Sequence, residues 1–86
     1  MATHKLLNKS DRFFITYNKV NTKEFYKIDL VLTHWFWTDP ELLSEYSQFF
    51  DPDNTKANGK GWVYDNEEEA RALYTWAILK WCNNET

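Results

Sequence analysis

Two stretches of this chain are rich in strand formers: residues 12–18 (RFFITYN) and residues 25–37 (FYKIDLVLTHWFW). Folded on each other about a turn at Asn21-Thr22, they bring Lys19 opposite Glu24, Tyr17 opposite Tyr26, Ile15 opposite Ile28 and Phe13 opposite Leu30. Apolar pairs then share one face and an opposite-charge pair closes the turn, an arrangement that stabilises antiparallel sheets. On the other face Thr16 meets Lys27, Phe14 meets Asp29 and Arg12 meets Val31. A slip of one residue would set Ile15 against a charge, so this register is strongly specified. A longer loop with the same register is the alternative to the two-residue turn. Alternation along the second strand places Leu32, His34 and Phe36 with the core set, and Trp35 and Trp37 with Val31 on the opposite face.

The period then changes. Thr38 and Glu41 have capping-box spacing, with Trp37 and Leu42 as a hydrophobic staple. Pro40, best placed at the first helical position, favours Asp39 as the cap instead. Either start leads to a helix from Pro40 to Phe50, with Leu42, Tyr46, Phe49 and Phe50 as its apolar stripe and Leu43 at the edge. Residues 51–61 (DPDNTKANGKG) hold both glycines and one of the two prolines, and read as a mobile, partner-accessible loop with a turn at Asn58-Gly59. Gly61-Trp62-Val63-Tyr64 reads as a short third strand.

Residues 65–81 (DNEEEARALYTWAILKW) form the last helix, which is apolar on two sides. Ala70, Leu73, Tyr74, Ala77, Ile78 and Trp81 fall on one stripe, and Ala72, Trp76 and Leu79 lie opposite. The acidic start is that of a capped helix, with Asp65 as N-cap, Glu68 three residues on, and negative charge at the positive end of the macrodipole. One core uses one side, so Trp76 and Leu79 must be covered by the N-terminal residues or by a second protein chain, or else stand exposed. Residues 1–10 carry little pattern and read as a loose N-terminal segment, with a single domain over residues 11–86. The expected fold is α+β in the order β-β-α-β-α: about three antiparallel strands, two helices mainly on one face, and the final helix on the Ile15/Ile28/Leu30 side.

Composition sharpens this. Aromatics make up 19% of the 86 residues, five of them tryptophan. A small domain gains much from burying large rings, which accounts for most of them and leaves some for display. The net charge of −3 provides no field to hold phosphate and counts against nucleic-acid or anionic-membrane binding. A lone cysteine, Cys82, fits a reducing compartment, and the polar start MATHKLLNKSDR lacks a signal-peptide core, so the expected location is the cytoplasm. The glycosylation-like triplets Asn8-Lys9-Ser10 and Asn84-Glu85-Thr86 are then chance. No run is long enough to span a membrane.

Candidate chemistry is thin. Asp51-x-Asp53-Asn54 opens like a calcium loop, but Lys56 stands where the glycine belongs and Trp62 where the closing glutamate belongs. Gly59-Lys60-Gly61 lacks phosphate-loop spacing. His4, His34 and Cys82 make no zinc set, and no nucleophile sits beside a base. The expectation is a non-enzyme without cofactor or metal.

The end of the chain resembles that of certain small accessory proteins of tailed bacteriophages. Their short strand leads into a D/N-E-E-A helix start, and the helix closes in aliphatic-Lys/Arg-Trp. Here these are Val63-Tyr64-Asp65-Asn66-Glu67-Glu68-Glu69-Ala70 and Ile78-Leu79-Lys80-Trp81. The resemblance implies a protein that acts in the host cytoplasm by binding another protein, and it brings no catalytic residues. Trp35, Trp37, Ala72, Trp76 and Leu79 are the expected contact residues, toward a host protein or a second copy in a homodimer. The competing expectation is a single-stranded nucleic-acid binder that stacks bases on Trp35 and Trp37, with Arg12, Phe14 and Lys27 on the same sheet face.

Overall fold

The computed structural model describes residues 2–82; the triplet Asn84-Glu85-Thr86 lies outside them. The β2–β3 hairpin, Phe13–Val20 and Lys23–Leu30, takes the register in which Ile15 meets Ile28, Tyr17 meets Tyr26 and Lys19 meets Glu24. Asn21 opens the turn in the left-handed region at φ 59°, a conformation asparagine tolerates better than most side chains. Gly61–Tyr64 forms β5 against β3, and a two-residue strand β4, Ala57–Asn58, pairs with β5. Gly61 is indispensable in this ladder, because a Cβ there would collide with the Ile28 carbonyl and Asp29.

The architecture is α+β with a small antiparallel sheet, but it has five strands and three helices rather than three and two. The expected loose segment is strand β1, Ala2–Lys9, which makes the sheet order β1-β2-β3-β5-β4. Its own pattern is poor. It exists because β2, joined to β3 on one side, offers a full row of free N–H and C=O groups on the other. A bulge between Leu6 and Asn8 then turns Leu7 toward the core.

A second correction falls on the expected strand end. β3 stops at Leu30, and Leu32–Trp37 coils into a six-residue helix, α1. The ladder explains this: β2 begins at Phe13, opposite Leu30, and β5 begins at Gly61, opposite Asp29, so a longer β3 would have no neighbour. The last bonds are Leu30 N–H to the Lys60 carbonyl and Val31 N–H to the Arg12 carbonyl. Beyond them the backbone satisfies itself locally, with Trp35 N–H donating to the Val31 carbonyl.

Helix α2, Pro40–Phe50, is capped by Asp39, whose Oδ1 accepts from Leu42 N–H at 2.8 Å. Helix α3, Glu67–Ala77, is capped by Asn66, not Asp65, with Glu69 N–H donating to Asn66 Oδ1 at 3.0 Å. It passes into a π-helical turn, Ile78–Cys82, instead of continuing as α-helix to Trp81. That wider turn seats Trp81 edge-on against Tyr46 and Phe49, at 4.8 and 5.3 Å between ring centres.

Both long helices cover one face of the sheet. Phe13, Ile15, Ile28, Leu30, Trp62 and Tyr64 meet Tyr46 and Phe50 of α2 and Ala70, Tyr74 and Ala77 of α3 in a single buried cluster. Phe13 is its pivot, edge-on to Tyr46 and Phe50 at 5.0 and 5.4 Å. The segment after α2 is tied down from its start: the Asp51 carboxylate accepts from the N–H groups of Thr55, Lys56 and Ala57. Desolvation works to raise the Asp51 pKa, but these donors outweigh it and hold it below the usual value. Among the described residues, no helix is long and apolar enough to cross a membrane.

Candidate interaction surface

Three regions carry apolar side chains that the core does not use. The first is α1. It has no side-chain cap and no buried residue, and so short a helix would not persist alone. Its inner side is held by His34 and Trp35. His34 Nε2 lies 2.8 Å from the hydroxyl of the fully buried Tyr46, which also accepts from Arg12 at 3.0 Å. Arginine can only donate, which leaves the Tyr46 proton free for His34, and a neutral His34 with its proton on Nδ1 accepts it. Burial, helped by the Arg12 charge, lowers the His34 pKa and favours that form. Trp35 lies under the Lys60 ammonium, 4.9 Å from the ring centre. The outer side of α1 is bare: Leu32 is 64% exposed, Phe36 73% and Trp37 82%, with Phe36 edge-on to Trp37 at 5.7 Å.

The second region is the outer side of α3 and of the π-turn that follows it. Ala72 is exposed, Trp76 is 63% exposed and Leu79 is 50% exposed. The N-terminal residues do not cover them, because those residues run along β2. Arg71 and Glu67 form an ion pair at 2.8 Å on the exposed part of this helix.

The third is the sheet face turned away from the helices. Phe14, Thr16 and Asn18 of β2 and Phe25, Lys27 and Asp29 of β3 lie there. Lys27 pairs with Asp29 at 3.4 Å, and burial raises the Asp29 pKa against the lowering effect of that lysine. At one end, Leu6, Lys9, Phe14, Val31, Leu32 and Thr33 line a groove of about 480 Å³.

The structure therefore separates residues that alternation had placed together. Trp35 and Trp37 are on α1 and not on a strand face, and of the two only Trp37 is fully displayed. Arg12 turns to Tyr46 on the helix side, away from Phe14 and Lys27. Leu32 and Phe36, expected in the core, are among the most exposed apolar residues. The hairpin register held the clue to them: the partners it offers beyond Leu30 are Arg12, Asp11 and Ser10, a polar break and not a strand. Among the described residues, no group of three or more His, Cys, Asp or Glu is placed to hold a metal ion.

No family model, no curated protein and no solved structure matches this chain.

Proposed function

We propose that this chain is a non-catalytic protein-binding domain, an accessory or inhibitory protein of the tailed-phage kind that acts on a host protein in the host cytoplasm. Helix α1 carries the reading. Its outer residues Leu32, Phe36 and Trp37 add nothing to the core, yet they are large, apolar and adjacent. A small soluble domain exposes such a cluster at a cost in solubility, and a protein partner offsets that cost. The tether through His34 and Trp35 presents these rings on a fixed base. Trp76 and Leu79 offer a second contact, for the same partner or for another copy of the chain. Stacking of single-stranded nucleic acid is less well supported, because Arg12 leaves the sheet face and Lys27 is paired with Asp29.

The test is photocrosslinking in bacterial cells with p-benzoylphenylalanine at Trp37 or at Trp76. The expected result is a discrete adduct with one host protein from position 37. If position 37 yields only self-adducts, the domain is self-associating. If neither position yields a protein adduct while the purified domain retains an oligothymidylate, the reading is overturned.

A further inference from the structure

The two edges of the sheet differ. On one side β4 is only two residues long and is held by the Asp51 turn. On the other, β1 runs for eight residues and is exposed at all of them except Leu7. The tight β2–β3 turn makes Val20 and Lys23 a hydrogen-bonded pair, so alternate residues of β2 from Val20 backward aim their backbone at β3. Lys19 and Tyr17 therefore bond β1 through Thr3 and Lys5. It follows that Ala2, His4 and Leu6 direct their N–H and C=O groups outward, where no strand lies among the described residues.

We propose that β1 is a docking edge for an extended acidic segment of a partner protein, which would add a sixth strand beside it. This rests on the protein-binding reading and names the chemistry of the partner. Charge decides between occupants. β1 carries Lys5, Lys9 and His4 and no acid, although the chain as a whole has net charge −3. Neither lysine has an ion-pair partner among the described residues. A second copy on this edge would bring four lysines together with no acid between them, the charge pattern by which edge strands resist self-pairing. An acidic strand meets the same lysines favourably, and main-chain bonds provide the rest of the affinity.

Shape adds direction. Side chains of an added strand alternate between faces. Those on the open face lie along Leu6, which is 57% exposed, and reach the groove formed with Lys9, Phe14, Val31 and Leu32. Those on the other face lie beside Lys5. The fitting segment therefore alternates aliphatic and acidic residues, its acidic side beside Lys5 and its aliphatic side along Leu6, toward the groove that Lys9 closes at one end and α1 borders.

The probe is a fluorescein-labelled octapeptide alternating valine and glutamate, matched to the eight residues of β1, with a valine–lysine counterpart as control. Anisotropy titrations against the whole domain should show binding of the acidic peptide only. His4→Pro and Leu6→Pro each remove an outward N–H that no internal bond uses, and should weaken binding about tenfold, the worth of one lost hydrogen bond. Melting curves check that these variants fold. Lys5→Glu with Lys9→Glu leaves the backbone untouched and should reverse the preference toward the lysine peptide. Equal binding of both peptides, or indifference to both proline substitutions and charge reversal, overturns the proposal. So does displacement of the acidic peptide by oligothymidylate at equal concentration, which would mark a site for any polyanion. A wild-type dimer that the proline variants dissociate would assign the edge to a second copy and overturn it as well. A failed peptide test beside an intact adduct at position 37 would leave the protein-binding reading standing; loss of that adduct would count against the reading itself.

Discussion

The two faces of the sheet are built from similar materials to opposite ends. The helix-covered face sets Phe13, Ile15, Ile28, Leu30, Trp62 and Tyr64 against two helices, and none of these six is more than slightly exposed. The open face carries Phe14 and Phe25 half-buried among Thr16, Lys27, Asp29 and a buried Asn18, and it continues into the bare rings of α1 with no helix over it among the described residues. Apolar content alone does not separate the two. What separates them is whether a ring has an opposing element, so perturbing one face should cost stability and perturbing the other should cost binding.

The largest effect is expected at Phe13. It is fully buried and touches Tyr46, Phe50 and Trp81. Phe13→Ala should cost about 3–5 kcal/mol in urea unfolding and bring so small a domain close to the folding threshold. A cost below about 1 kcal/mol would mean that the covered face is not the core. Next comes Gly61→Ala, in the ladder between the two faces. The added methyl meets the backbone of β3, where little can yield, and about 1–3 kcal/mol should be lost.

The join between the core and α1 gives a smaller, pH-dependent effect. His34 is neutral in the fold and its pKa is lowered by burial and by Arg12, so the folded chain binds its proton less readily than the unfolded chain does. Stability from this group is therefore complete above the ordinary histidine value of about 6.5 and declines as pH falls through it toward the folded pKa. Protonated His34 cannot accept the Tyr46 proton, and its new charge faces Arg12. Melting temperature should fall from pH 7 to pH 5, and His34→Gln should flatten that segment of the profile. Should His34→Gln show the same slope as wild type, α1 is not held through this bond. Tyr46→Phe, measured at pH 7, should cost about 1–3 kcal/mol by leaving Arg12 and His34 without their shared partner.

The covered face was largely legible in the sequence, and the uncovered parts were not, for a physical reason. The β2–β3 register follows from pairs that specify each other, Ile15 with Ile28 and Lys19 with Glu24. Helix α2 follows from Asp39, Pro40 and a stripe that includes Tyr46 and Phe50. These signals are local, or between near neighbours. Strand β1 has no such signal, since ATHKLLNK lacks alternation and is ordered by an edge made elsewhere. In α1, the strand-like residues THWFW coil because the sheet runs out of neighbours at Leu30. Both misreadings have one origin: strand propensity describes a residue, whereas a strand needs a partner. The candidate contacts divide in the same way. Ala72, Trp76 and Leu79 follow from helical period and lie on the outer side of α3 and its π-turn, whereas the placing of Trp35 and Trp37 depended on the strand end.

The smallest effects separate display from burial most sharply. Trp37→Ala and Trp76→Ala remove the two most exposed tryptophans, and each should change unfolding free energy by less than about 1 kcal/mol. Trp76 is the more demanding case, because an apolar stripe on a terminal helix invites burial by whatever lies near. The residues that could have covered it are committed to β1 along β2, and Tyr74, on the opposite side of the helix, already reaches β1 through Asn8 at 3.2 Å. A cost above about 3 kcal/mol for Trp76→Ala in a monomer would show that the outer side of α3 is core after all. The same substitution dissociating a dimer without unfolding it would show that a second copy covers it. A monomer of unchanged stability leaves Trp76 and Leu79, like Phe36 and Trp37, free for a different protein.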